Sequence, residues 1–142
     1  MKKLKIAITV IFLAIIAWIA FRYVWTSYYN RGSNYMTRGE YDQAILCFDK
    51  MIKIKPKFAP AYCNRGTAYY EKSDYDRAIG DFTKALEINP QLVDAYYNRA
   101  AAYYQKKEYD KAWEDVHKAQ SMDSQIPPDF LEALRDASGR ER

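Results

Sequence analysis

Glycine and proline are scarce, five of each in 142 residues, which argues against turn-dense folds that depend on them. Long helices joined by short connections are the expected outcome. A single histidine, His117, removes any metal site that needs two imidazoles and leaves one candidate general base. It lies off the stripe of Ala112, Val116 and Ala119 and reads as solvated helix face. No phosphate-cradling glycine loop and no Gly-x-Ser-x-Gly elbow occurs, and acidic residues are spread about one per turn over polar faces. The expectation is therefore no enzyme, no catalytic residue, no cofactor, no metal site and no small-molecule substrate.

A net basic charge is also missing outside the N-terminus, although the formal charge is +4. Lys2, Lys3, Lys5 and Arg22 flank the N-terminal apolar run, and without those four the 22 Lys and Arg fall to the number of Asp and Glu, 18. The excess charge is thus a matter of membrane topology, and no nucleic-acid partner is expected.

From Ile6 to Phe21 the chain reads IAITVIFLAIIAWIAF, with Thr9 its one polar side chain, and Tyr23, Val24 and Trp25 extend it past Arg22. About 20 residues at roughly 1.5 Å each reach the ~30 Å of a bilayer's hydrocarbon core. Trp18, Tyr23 and Trp25 are aromatics suited to the interface, and Arg22 can extend its stem towards head groups. A cleaved signal peptide is the competing reading. Cutting after Ala20 or Ala17 would place Trp18 or Ile15 where a small residue is wanted, which favours an uncleaved transmembrane anchor over residues 1–25. Lys2, Lys3 and Lys5 oppose Arg22, Arg31 and Arg38 across it. The tighter N-terminal cluster puts the N-terminus in the cytoplasm and the rest outside, as on the periplasmic side of a bacterial inner membrane.

Shifting the sequence by 34 positions aligns SYYNRGSNYMTRGEYDQAI with AYCNRGTAYYEKSDYDRAI and AYYNRAAAYYQKKEYDKAW. Three sets of Tyr recur at that period: Tyr28, Tyr62, Tyr96; Tyr35, Tyr69, Tyr103; and Tyr41, Tyr75, Tyr109. So do Arg31, Arg65, Arg99, then Ala44, Ala78, Ala112, then Phe48, Phe82, Val116. A fixed period in this range marks stacked repeats. In each unit Tyr62, Gly66 and Tyr69, or their equivalents, share one helical stripe, and Ala78, Phe82 and Ala85 share another beyond the break at Lys72-Ser73-Asp74. Asn89-Pro90 ends the second helix. Small Gly66 or Ala100 facing Ala78 or Ala112 would let two backbones approach closely. The nine repeating Tyr are expected in the core.

This pattern resembles the tetratricopeptide-repeat family from Trp25 to about Ile126, the second repeat meeting it with Tyr62, Gly66, Tyr69, Ala78, Phe82, Ala85 and Pro90. The resemblance implies an all-α, right-handed superhelical solenoid of three helix-turn-helix repeats, 25–58, 59–92 and 93–126. Met51 and Ser124 depart from it slightly. Arg31, Arg65 and Arg99 stand where the family usually has Leu, so their stems should pack while the guanidinium groups reach the surface. After Ile126-Pro127-Pro128, an amphipathic segment carrying Phe130, Leu131 and Leu134, with Asp129 as N-cap, reads as a capping helix within a 127–142 tail. Without Pro or Gly between anchor and first repeat, one nearly continuous helix is expected from Leu4 to Thr37.

The family holds its ligands on the concave face, built from the first helix of each repeat. That places Tyr29, Tyr70, Tyr97 and Tyr104 in a groove with Met36, Cys63, Thr67 and the amide ladder Asn30, Asn64, Asn98, suited to a protein or peptide segment. One family subtype grips a peptide's terminal carboxylate. Its positions correspond here to Tyr29, Ser33, Asn64, Asp94 and Asn98; only Asn64 matches, and Asp94 would repel a carboxylate. Cys47 and Cys63 fall on helices whose directions diverge and are expected to be free thiols. A homo-oligomer or membrane-complex subunit, packing through groove or repeat ends, is the rival to a peptide-binding scaffold.

Overall fold

The computed structural model describes residues 2–139, so the extreme ends of the 1–25 and 127–142 segments lie outside the described residues. Regular structure among these is helical throughout: α1 (Lys2–Thr37), α2 (Tyr41–Ile54), α3 (Ala59–Glu71), α4 (Tyr75–Ile88), α5 (Val93–Gln105), α6 (Tyr109–Gln120) and α7 (Pro128–Ser138). α1 is unbroken because its first glycine, Gly32, comes late and already lies under a neighbouring helix. From Leu4 to Val24 its large apolar side chains stay exposed, Phe12 at 62% and Trp18 at 60%. Trp25 is the first partly covered residue. The helix is long and apolar enough to cross a bilayer.

Three antiparallel pairs, α1–α2, α3–α4 and α5–α6, stack through α2–α3 and α4–α5 contacts. The substantial contacts between next-but-one helices are α1–α3 and α3–α5. The first helices therefore line the inside of the curve and the second helices its outside, in a right-handed superhelical solenoid. Each pair turns on a residue in the left-handed region: Gly39 (φ 72°), Ser73 (φ 60°) and Lys107 (φ 61°). The turn is closed by Glu40, Asp74 and Glu108 N–H donating to the carbonyls of Tyr35, Tyr69 and Tyr103, each at 2.9 Å. This is a Schellman-type ending, which glycine adopts without a steric penalty and the other two do not.

Within each pair a small residue receives a large one. A Cβ on Gly32 would stand 2.7 Å from Phe48, and one on Gly66 2.8 Å from Phe82. In the third pair Ala100 faces the smaller Val116, and both are fully buried. The repeating Tyr depart from the expectation of a fully buried set. Tyr62 alone is buried, at 9%, its hydroxyl donating to the Pro56 carbonyl at 3.1 Å, and the other eight are half-buried. The assembly is only two helices thick, so ring edges and phenol hydroxyls reach water while Ala, Phe and Met fill the interior. Cations cover some rings, Arg77 lying 4.4 Å from the Tyr69 centroid.

α7 closes the end of the solenoid on α6, with Leu134 fully buried and Trp113 Nε1 donating to Ser138 Oγ at 3.1 Å. Its N-cap is Pro127 and its first residue Pro128, so Asp129 lies inside the first turn and does not cap it. Proline's fixed φ suits the first helical position, where its missing N–H costs nothing.

Candidate functional site

α3 and α5 bring Thr67, Tyr70, Tyr97 and Asn98 together around an open hollow of about 210 Å³, lined also by Glu71, Phe82 and Ala101. Asn98 Nδ2 donates to Thr67 Oγ1 at 3.5 Å and approaches Cys63 Sγ at 4.0 Å. Gln105 Nε2 donates to the Tyr70 hydroxyl at 3.4 Å, which fixes one wall. Burial raises the Tyr97 phenol above its ordinary pKa, and Tyr70 adds to the shift. Burial also pushes the Cys63 thiol up to about 11, so it stays protonated at neutral pH; Cys47 and Cys63 are both buried free thiols.

The other residues expected in the groove lie outside the lining of this hollow. Tyr29 packs edge-on against Phe48 and Phe58, at centroid distances of 6.2 and 5.7 Å, and Met36 lies against the same first-repeat cluster. Asn30 is exposed and Asn64 half-buried, and among the described residues neither amide has a hydrogen-bond partner. Phe130 of α7 stacks on both Tyr97 and Tyr104, at 5.4 and 5.7 Å. The C-terminal helix thus occupies the third-repeat end of the face and leaves its open part at α3 and the middle of α5. Asp94 is exposed, one turn before Asn98, and Glu71 accepts from the Tyr41 hydroxyl at 3.4 Å. No basic side chain lines the hollow.

The arginine ladder corrects the expectation that these groups reach the surface. Arg65 donates bidentately to Asp81, through Nε and Nη2 at 2.7 Å each, and its Nη1 donates to Asp49. Arg99 does the same to Asp115 at 2.8 and 2.7 Å, with Nη1 donating to Thr83 at 3.0 Å. Asp81 and Asp115 are buried, so the acidic residues are not all on polar faces as the sequence suggested. Each guanidinium ties its own hairpin to the second helix of the preceding one. Of the three only Arg31 is exposed, and position 47, which matches 81 and 115, holds Cys, so the matching carboxylate is absent there. The signal was in the repeat register: an Arg with an Asp 16 residues on recurs in the second and third repeats, and the first keeps the Arg but has Cys47 in place of the Asp.

Three tetratricopeptide-repeat family models match the sequence, over residues 32–73, 59–92 and 82–114. Comparison with curated proteins returns no match. Among solved structures, the TPR2B domain of yeast Sti1 in its pHsp70 complex is 28% identical with a TM-score of 0.75, covering 83% of this chain and 98% of that one. The first TPR domain of Spaghetti (RPAP3), bound to the HSP90 peptide SRMEEVD, is 24% identical at a TM-score of 0.75, covering 82% and 91%. The Arabidopsis OM64 TPR domain is likewise 24% identical at 0.75, covering 82% and 96%.

Proposed function

The chain belongs, over residues 32–114, to the tetratricopeptide-repeat family, and on that premise we propose that it is a membrane-anchored scaffold whose groove binds a partner's peptide segment. The observation that carries this reading is the hollow between α3 and α5, walled by the phenols of Tyr70 and Tyr97 and the amide of Asn98, with Asn64 one helical turn before Thr67 on α3. Free amides pair with a peptide backbone, and rings supply contact area at small entropic cost. The groove runs from Tyr29, Asn30 and Met36 through Asn64, Thr67, Tyr70, Tyr97 and Asn98 to Tyr104, its last part shared with Phe130. The similar yeast domain forms a complex with pHsp70, which supports a partner-binding role for such repeats.

The ligand differs in charge from an acidic tail. Glu71 lines the hollow and Asp94 lies exposed one turn before Asn98, with no basic side chain on the lining, so it accepts a neutral or basic segment and repels carboxylates. The apolar half of α1 serves as a single-pass anchor, with residues 25–126 as the repeat domain outside the cytoplasm. The test uses the full chain in detergent against arrays of neutral, basic and acidic peptides. Asn64→Ala should weaken the best binders by roughly tenfold with helical content unchanged, and Asp94→Lys should shift preference towards acidic peptides. Retention of full affinity and unchanged charge preference by both variants would remove the groove as the binding site.

A further inference from the structure

The last turn of α2 and the loop after it differ in kind from their counterparts. Lys53, Lys55 and Lys57 correspond by the repeat to Glu87, Asn89 and Gln91 after α4, and to Ser121, Asp123 and Gln125 after α6. Three cations at alternate positions thus occur only in the hairpin attached to the apolar helix. Their place in the fold follows from the antiparallel pairing: α2 starts beside the far end of α1 and returns towards Trp25. Lys55 Nζ lies 4.3 Å from the Trp25 ring centroid and 4.8 Å from that of Phe58, and the Trp25 and Phe58 rings are 5.8 Å apart. The loop is pinned there, since the Pro56 carbonyl accepts from Tyr62. Lys53 and Lys57 are exposed and make no ion pair among the described residues, whereas Asp49, the nearest carboxylate on α2, is engaged by Arg65.

Trp25 is also where the bare apolar stretch of α1 ends, one helical turn, about 5 Å, beyond Arg22. If that stretch crosses the bilayer, the three lysines stand beside the head groups, within the ~10 Å over which surface charge acts. We infer that Lys53, Lys55 and Lys57, together with Arg22, form a basic collar that docks the first repeat onto anionic lipid head groups. The collar rests on the anchored reading above and adds to it a defined posture: the membrane surface holds the outer loop of the first repeat, so the groove is presented at one tilt and does not swing freely on α1.

Amine acylation of the full chain in lipid nanodiscs, followed residue by residue by mass spectrometry, tests this without altering the protein. In discs containing phosphatidylglycerol, Lys53 and Lys57 should react several-fold more slowly than in pure phosphatidylcholine discs. High salt should close the gap, and Lys107 at the opposite end should react alike in both. Equal rates at Lys53 and Lys57 in discs that retain the chain would overturn the collar alone. A chain that elutes apart from both kinds of disc would refute the anchor, and the collar with it.

Discussion

Removing Arg99 should destabilise the solenoid strongly, whereas removing Arg99 and Asp115 together should not. Asp115 has a side chain only 6% exposed and Arg99 one 18% exposed, joined by two hydrogen bonds. Asp115 holds the Arg99 guanidinium more firmly charged, while burial pushes the Asp115 carboxyl up despite Arg99 beside it. Bringing the carboxylate inside therefore costs more than its partner returns, and the pair adds little net stability. Breaking it is different. In Arg99→Leu the carboxylate stays buried without its counter-ion, a situation that costs about 3 kcal/mol. In Arg99→Leu/Asp115→Ala neither charge is buried, and most of that loss should return, giving a coupling of about 2 kcal/mol. The loss in the single variant should also depend on pH. A carboxyl whose folded pKa is raised destabilises fully above that pKa and not at all below its unfolded value near about 4, so the deficit of Arg99→Leu relative to the parent should shrink as pH falls from about 7. Denaturant unfolding of the full chain in detergent, followed by far-ultraviolet circular dichroism, measures the parent, the single variants Arg99→Leu and Asp115→Ala, and the double variant. A double variant as unstable as Arg99→Leu, or a deficit that does not change with pH, would refute the reasoning.

Gly66→Ala should lose about 1–3 kcal/mol, because its Cβ would meet Phe82 at 2.8 Å and the Ala78 carbonyl at 3.2 Å; adding Phe82→Val, which copies Ala100 and Val116 of the third repeat, should recover part of that in the same unfolding assay. Lys107→Gly, at φ 61°, should gain about 0.5–1 kcal/mol by relieving a left-handed turn, visible as a higher denaturation midpoint. The full chain should remain with membranes after an alkaline carbonate wash with a mass that includes Met1 to Trp25, and a mature N-terminus near Phe21 would contradict the anchor. A reporter fused after Arg142 should report from outside the cytoplasm; a cytoplasmic signal would reverse the orientation.

The period of 34, the aromatic and alanine stripes and the apolar run by themselves determined a stack of helical hairpins on one long apolar helix. Each of those features is local, set by helical geometry and by the absence of breakers before Gly32. The capping helix was legible in the same way, from Phe130, Leu131 and Leu134 on one face. Side-chain pairings between helices were harder to read, because the partner of a side chain depends on how neighbouring helices lie. The sequence placed Arg65 and Arg99 at the surface, since a lone arginine is costly to bury; only packing set Asp81 and Asp115 where they make that burial tolerable. It likewise placed nine Tyr in the core, whereas a layer two helices thick leaves eight of them half-exposed. Tertiary structure also decided that Phe130 covers Tyr97 and Tyr104, and that Lys53, Lys55 and Lys57 return to the level of Trp25, because contact between residues this far apart in sequence is fixed by the direction in which the helices pack.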